Sequence, residues 1–247
     1  MTGGPDPRVA AAGESIFDLT PLDQVVGGLA VSCHRGVVEV GRPRAAATPG
    51  HAQGGLCGAE LLRHREAMEP VVEFRRLRRT ELSRVVEIDR RERIDVLYDQ
   101  HGTQLVARRG NWSAPAWDPK GHGEHSVEGQ VYALEHYVDS GGIALGAIAG
   151  GRLVAIGVVV PHLRPGIAQL AFLHVSTPWR ATGIGSRLFE EFERIARTAG
   201  DSDMVVSATP SENTVHFYLG RGFQPMAEPL AELFKLEPED VHMLKVL

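Results

Sequence analysis

Cysteine is nearly absent from this chain of 247 residues: Cys33 and Cys57 stand alone, outside its motif-bearing part and without metal-ligand spacing. That scarcity excludes a disulfide framework and leaves two incidental reduced thiols, as expected of a cytoplasmic protein. No apolar run approaches the length of a membrane span. The first residues lack both a basic start and a sustained apolar segment, so no secretory signal is expected. Positive charge is not in excess either. A formal net charge of -5 argues against a nucleic-acid binder, whose phosphate contacts need a basic face. Two nucleotide motifs are missing as well. Leu188, after Arg187, stands where the dinucleotide fingerprint that would begin at Gly183 needs a third glycine, and no Gly-Lys-Ser/Thr follows as in a hydrolase phosphate loop.

What is present falls into two parts. Residues 1–67 are rich in Gly, Pro, Ala and Arg, and their apolar patches are short and unphased, so a low-complexity, disordered tail is expected. Met68-Glu69-Pro70 directly precedes the first credible strand, Val71 to Leu77; either translation starts at Met68 and residues 1–67 are not native, or the tail is natural and flexible. Residues 71–247 read as one domain, with 43% hydrophobic residues in the chain giving enough apolar surface for a core. An edge strand is expected over 74–77 and a helix from Thr80 to Ile88. A polar, irregular stretch is expected from about Arg93 to His125, then a helix from Ser126 towards Ser140 ended by Gly141-Gly142. Strands over 143–149 and 152–160 form a hairpin across Gly150-Gly151, and further strands are expected over 167–175, 204–208, around Phe223, and over 242–246.

The most informative stretch joins the strand over 167–175 to a helix. Arg180-Ala181-Thr182-Gly183-Ile184-Gly185 opens a segment in which Ile184, Leu188, Phe189, Phe192, Ile195, Ala196 and Ala199 form one apolar stripe, with charged residues off it and Gly200 as the stop. Two glycines at a helix mouth leave backbone amides uncovered by side chains. With the positive end of the helix dipole, they make a site for a phosphate group. A second block follows: Val205-Val206-Ser207-Ala208, then Asn213, then Phe217-Tyr218-Leu219-Gly220-Arg221-Gly222-Phe223. Together the two blocks resemble the GNAT superfamily of acyl-CoA N-acyltransferases, whose pyrophosphate loop reads Gln/Arg-x-x-Gly-x-Gly/Ala and whose next helix carries Asn and then Tyr-x-x-x-Gly-Phe. The likeness is strongest from Gln169 to Phe223 and extends loosely back to Val71.

The resemblance implies an α/β fold, a mixed and mostly antiparallel sheet flanked by helices on both faces. It also implies acetyl-CoA as co-substrate and a primary amine as acceptor, joined by direct attack in a ternary complex. The main chain of Leu173 would hold the thioester oxygen, where a fixed N–H stabilises developing charge. The main chain of Val175 would hold the pantetheine amide, with His174 turned to the other face. Arg180, Ala181, Thr182, Gly183, Ile184, Gly185 and Ser186 would hold the pyrophosphate, and Asn213 the pantetheine or thiol. Tyr218 is the expected proton donor to the leaving thiolate. Dimers are common among proteins of this kind, and the acceptor is expected to be a small molecule or peptide, with neither nucleic acid nor membrane as partner.

Two points depart from that pattern or extend it. Some members place a glutamate eleven residues before the loop's Arg or Gln, but Gln169 stands there, so the base is sought among Glu87, Asp89, Glu92, His174 or a water chain. Glu87, Asp89 and Glu92 also fit the charged face of a helix. Lys120-Gly121-His122-Gly123-Glu124-His125 clusters possible zinc ligands, yet no fourth partner is evident and no metal is expected. Tyr98, Trp112, Trp117 and His122 are candidates to line the acceptor pocket, or else packing anchors of a long loop. Besides an acetyltransferase, a non-catalytic acyl-CoA sensor and a nucleotide-binding protein of another fold remain as readings.

Overall fold

Alternating and continuous apolar runs in residues 72–246 become nine strands and four α-helices. In chain order these are β1 (Val72–Arg76), a 3₁₀ helix (Arg79–Glu87), β2 (Glu92–His101), β3 (Gln104–Ala114), α1 (Val127–Asp139), β4 (Ile143–Ala149) and β5 (Arg152–Arg164). Then come β6 (Ile167–Val175), a 3₁₀ turn (Thr177–Trp179), α2 (Ile184–Ala199), β7 (Asp203–Ala208), α3 (Glu212–Leu219), β8 (Gln224–Pro225), α4 (Ala231–Leu236) and β9 (Val241–Val246). The computed structural model describes residues 71–123 and 125–247; the expectations for residues 1–67 and for a start at Met68 lie outside the described residues, as does Glu124. Among the described residues no helix is long and apolar enough to cross a membrane.

Seven strands form one sheet in the order β1-β4-β5-β6-β7-β9-β8, antiparallel throughout except where β6 runs parallel to β7. The central strands β4 and β5 are buried along most of their length, because helices cover both faces and leave neither side to water. One face packs against α2 and α3 through Leu188, Phe189, Phe192 and Val215. The other packs against α1 and the 3₁₀ helix through Leu82, Val85 and Leu134, joined by Trp117 from the connection between β3 and α1. The fold is thus the mixed, helix-flanked α/β sheet that the resemblance implies.

The contact between β6 and β7 is brief and matters most. Only Ile167, Ala168 and Gln169 pair with β7, opposite Asp203, Met204 and Val205. Beyond Gln169 the two strands part, while β6 keeps its pairing to β5 as far as Val175. The register between β5 and β6 shifts where Val158 faces Phe172 and Val159 faces Leu170, leaving Ala171 as the extra residue of a bulge. A bulge bends its strand and increases local twist, which turns the second half of β6 away from β7.

Two expectations are corrected, and one element had none. The segment expected to be irregular from Arg93 to His125 holds the long hairpin β2–β3, turned at Gly102, whose φ is 58°. Its outer positions are polar, and a register shift between Ile94 and Val96 breaks the two-residue period that would have revealed it. The helix expected from Thr80 to Ile88 is a 3₁₀ helix beginning at Arg79, entered where the Glu81 side chain accepts from the Arg78 backbone N–H. The short helix α4 had no sequence expectation. By contrast, α1 carries its expected cap, with Ser126 Oγ accepting from Gly129 N at 2.9 Å.

Candidate active site

Where β6 and β7 part, a cavity of about 730 Å³ opens, lined by the second halves of both strands. Residues from both sides of the sheet reach it: Gly185, Ser186, Phe217 and Tyr218 from α2 and α3, and Gln130 and Tyr137 from α1.

Backbone polarity in this gap follows from register. Ser176 N donates to Val154 O at 2.8 Å, which makes that pair a hydrogen-bonded one. Alternation along an antiparallel ladder then makes Val175–Ala155 and Leu173–Gly157 non-hydrogen-bonded pairs. The N–H and C=O groups of Leu173 and Val175 therefore point away from β5, towards the gap. The Val175 carbonyl bears this out, since it accepts from Arg180 Nε at 3.2 Å. Both residues line the cavity.

The glycine loop lies at one end. Gly183 sits before α2 with φ 87° in the left-handed region, and Ala181 also has a positive φ, 60°. Neither a side-chain cap nor an acidic first-turn residue covers the N-terminus of α2, so its first amides and the dipole face outwards. Gly185 is needed for closeness: a Cβ there would lie 3.2 Å from the Phe217 ring and 3.4 Å from Val175 Cγ2. Arg180, Ala181, Gly183, Gly185 and Ser186 line the cavity. Ile184 and Thr182 do not contribute side chains to it, for Ile184 is buried in the core and the Thr182 hydroxyl donates to Trp179 O at 2.7 Å. Arg221, which was not singled out in sequence, stands beside the loop. Its guanidinium lies over the Phe217 ring at 3.4 Å, donates to the Phe217 carbonyl at 2.7 Å and reaches Ser186 Oγ.

Arg180 is more a tether than a free cation. It pairs with Glu92 at 2.7 Å, donates to Val175 O, and reaches Arg90 O at 3.4 Å. Asn213 Nδ2 donates to the same Glu92 carboxylate at 2.7 Å. Glu92 thus opens β2 and not a helical face, and it fastens the hairpin to both the loop and α3. Tyr218 lies in the cavity wall, 5% exposed, with Phe217 and Phe223 edge-on at 5.2 and 5.3 Å. Burial raises its hydroxyl pKa well above the ordinary tyrosine value, with Arg221 acting against and Asp240 and Glu237 adding to the rise. It is therefore protonated at neutral pH.

His174 lines the cavity from the face opposite to Leu173, packed against Phe172 at 4.7 Å and edge-on to Trp117 at 5.4 Å. Burial, with the Arg90 and Arg180 charges, lowers its pKa to about 3, so it is neutral at physiological pH and a weak base. Glu87 and Asp89 are occupied elsewhere: Glu87 accepts from Leu153 N at 2.6 Å and Arg84 Nε at 2.7 Å, and Asp89 pairs with Arg91 at 2.7 Å.

Four residues considered for the acceptor pocket do not line it. Tyr98 hydrogen-bonds His216 Nε2 at 3.0 Å, Trp112 packs under Arg108, and His122 pairs with Glu128 at 2.6 Å. Trp117 stands behind His174 as a core residue, with Arg90 over its ring at 4.5 Å. The same segment instead contributes Glu92, Ile94 and Ala114. His125 contacts Arg90 at 2.9 Å, and among the described residues no group of three His, Cys, Asp or Glu side chains is placed to hold a metal. Two carboxylates that sequence reasoning missed, Glu237 and Asp240, line the far end of the cavity from the turn between α4 and β9.

Residues 109–223 match the family described as the acetyltransferase (GNAT) family. The fold is similar to the crystal structure of nourseothricin acetyltransferase at a TM-score of 0.54 and 14% identity, covering 71% of this chain and 98% of that one. PaiA N-acetyltransferase from Thermoplasma acidophilum in complex with coenzyme A gives a TM-score of 0.47 at 17% identity, covering 72% of this chain and 99% of that one. IAA acetyltransferase from Bacillus cereus ATCC 14579 gives 0.46 at 15% identity, covering 72% and 100% respectively. At 14% identity the first of these likenesses establishes the fold alone. No curated protein matches the chain in sequence.

Proposed function

We propose, on the match of residues 109–223 to the acetyltransferase (GNAT) family, that the chain transfers an acetyl group from acetyl-CoA to a primary amine by direct attack in a ternary complex. The observation that carries the reading is the parting of β6 from β7. It turns the main chain of Leu173 and Val175 into a cavity whose end is the uncapped N-terminus of α2. The donor set suits the linked phosphates of coenzyme A, because an anion gains from backbone amides and a helix dipole unopposed by first-turn acid. Arg221, beside Ser186, adds a second cation near the loop.

In this reading the Leu173 N–H holds the thioester oxygen as it gains charge, and Val175 fixes the pantetheine arm as an extra strand would be fixed. Tyr218 keeps its proton until the sulfur leaves and then donates it. The acceptor is a small amine or a peptide terminus entering from the α1 side, past Tyr137. With acetyl-CoA as co-substrate the expected compartment is the cytoplasm, and a homodimer is the expected assembly.

Thiol release from acetyl-CoA across a panel of amines, together with calorimetric titration of coenzyme A, tests the proposal. Amine-dependent release supports it. Coenzyme binding without release for any amine makes the protein an acyl-CoA sensor, and absence of coenzyme binding overturns both.

A further inference from the structure

The base that Gln169 cannot provide has a counterpart in the turn between α4 and β9, which also lines the cavity. Glu237 closes α4, with its N–H donating to Leu233 O at 2.9 Å, and it lines the cavity with Asp240 of the same turn. The titratable groups that meet it come from every neighbouring element: Tyr137 of α1, Tyr218 of α3 and His242 of β9, with the Ser207 hydroxyl of β7. The charge of Glu237 acts on both phenols, so its carboxyl stands within electrostatic reach of the proposed thiolate acid.

We propose that Glu237 takes the proton from the acceptor's ammonium, in a pocket completed by Asp240 and Tyr137, so that the acceptor is a primary alkylamine arriving as its cation. The inference rests on the acetyltransfer reading above and deepens it.

Local hydrogen bonding lets Glu237 change protonation with little rearrangement. His242 Nε2 lies 3.0 Å from the Glu237 carbonyl, which only accepts, so that nitrogen carries a hydrogen. Burial disfavours the charged imidazole, which leaves Nδ1 as an acceptor facing Ser207 Oγ at 3.2 Å. Ser207 therefore has one hydrogen for two acceptors, Nδ1 and the Glu237 carboxylate. Rotation of the hydroxyl serves Glu237 when it is ionised and Nδ1 when it is protonated. Burial also pushes the Glu237 carboxyl up to about 7, the range in which a base both accepts and releases a proton near neutrality.

The step balances as follows. An ammonium N–H bond breaks and its proton goes to a Glu237 oxygen. The freed lone pair forms the C–N bond at the thioester carbon, and the C–S bond breaks. The sulfur takes the Tyr218 proton, the second nitrogen proton restores Tyr218, and Glu237 returns its proton to water. One proton is released per turnover, with no oxidant or reductant.

The test uses the full chain, acetyl-CoA and a panel of primary alkylamines that includes 1,5-diaminopentane and lysine methyl ester, read by thiol release from pH 6 to 9. In Glu237→Gln, kcat is expected to fall by about 10²- to 10⁴-fold, the contribution typical of a general base. The rising limb near pH 7 should vanish from kcat, while calorimetric affinity for coenzyme A stays within about twofold. Glu237→Asp should keep a measurable fraction of turnover with the limb intact. Ser207→Ala keeps the carboxylate but removes its donor, so it should move the limb to higher pH without abolishing turnover. Near-normal turnover of Glu237→Gln, or an unchanged limb in it, overturns the proposal, and so does a Ser207→Ala limb that does not move should the glutamine variant fail to fold. If the wild type binds no coenzyme or turns over no amine, the broader reading fails and this one with it. Where the wild type binds coenzyme and turns over an amine, selective loss of turnover in Glu237→Gln supports this proposal, and its absence removes this proposal alone.

Discussion

The pair formed by Glu92 and Arg180 decides whether the loop arginine holds phosphate or holds the protein together. Its side chains are 14% and 30% exposed, so the pair lies between a surface ion pair and a buried one. Exposed pairs contribute about 0.2–1 kcal/mol, whereas removing one partner of a buried pair costs about 3–5 kcal/mol. An intermediate figure of about 2 kcal/mol is expected for Arg180→Met, which leaves the Glu92 carboxylate with Asn213 as its remaining partner at 2.7 Å and takes a donor from Val175 O. For a domain of this size that corresponds to a fall of roughly 4–8 °C in melting temperature. Glu92→Gln strands the opposite charge and should cost about as much, and the double variant should cost less than the two added, with a coupling of about 1 kcal/mol or more. Thermal melts of the four proteins measure this directly. Calorimetry with coenzyme A supplies the complementary readout: a tether changes affinity only severalfold, whereas a guanidinium bonded directly to phosphate would contribute about 1.5–3 kcal/mol, a loss of roughly 10- to 100-fold. Additive melting shifts, or a large affinity loss at unchanged melting temperature, would refute the tether.

Other expectations test separate parts of the structure. Tyr218→Phe should lower kcat by at least tenfold while leaving acetyl-CoA affinity within about twofold, since it removes the proton and keeps the ring; steady-state kinetics that show unaltered turnover would remove the tyrosine from the reaction. Gly157→Ala places a Cβ 2.7 Å from the Phe192 ring and 2.9 Å from Phe172 O, in the middle of the sheet. It should cost about 1–3 kcal/mol in denaturant melts, and a neutral result would mean that the β5–β6 pair has room to shift. His174 is held at a lowered pKa of about 3 in the fold against 6.5 in the unfolded chain. Its contribution is fully present above pH 6.5 and is lost as pH falls towards 3, adding a slope of about 1.4 kcal/mol per pH unit to acid destabilisation. Denaturation of His174→Gln across that range should lack this slope, and equal slopes in the two proteins would contradict the assignment.

How far the sequence revealed these features follows from what encodes each one. Helix α2 was legible from end to end, because its stripe of Leu188, Phe189, Phe192 and Ala196 must face the sheet and Gly200 must end it in the left-handed region, at φ 96°. Ser126, Gly141 and the Gly150-Gly151 turn were legible for the same reason: local backbone chemistry permits few alternatives. The β2–β3 hairpin was not, since β3 is exposed along most of its length and its stability comes from distant partners. Among these, Gln100 bonds to Met226 O at 2.9 Å, and Tyr98 N donates to Pro210 O at 2.9 Å. Glu237 gave no signal at all. A single glutamate before a proline, just past a short helix, has no periodicity or motif, and only the turn of the chain between α4 and β9 brings it to Ser207 and Tyr218.

The sheet's central irregularity explains why residue types at the donor end constrain so little. Main-chain groups withdrawn from water need partners, at a cost of about 1–3 kcal/mol for each one left unmet. Leu173 and Val175 turn their backbone groups away from β5, and past Gln169 there is no β7 ladder to receive them. Arg180 answers one carbonyl. The N–H groups remain directed at whatever enters the cavity, so a ligand that presents carbonyl oxygens in an extended arm completes the ladder that β7 abandons. Any residue can supply an N–H, which frees the side chains of β6 for other uses: Leu173 packs on the α2 side and His174 on the Trp117 side. Selectivity must then arise where side chains rather than backbone form the wall, from Tyr137, Glu237 and Asp240. Substitutions there should change which amine is accepted without changing how coenzyme A is held.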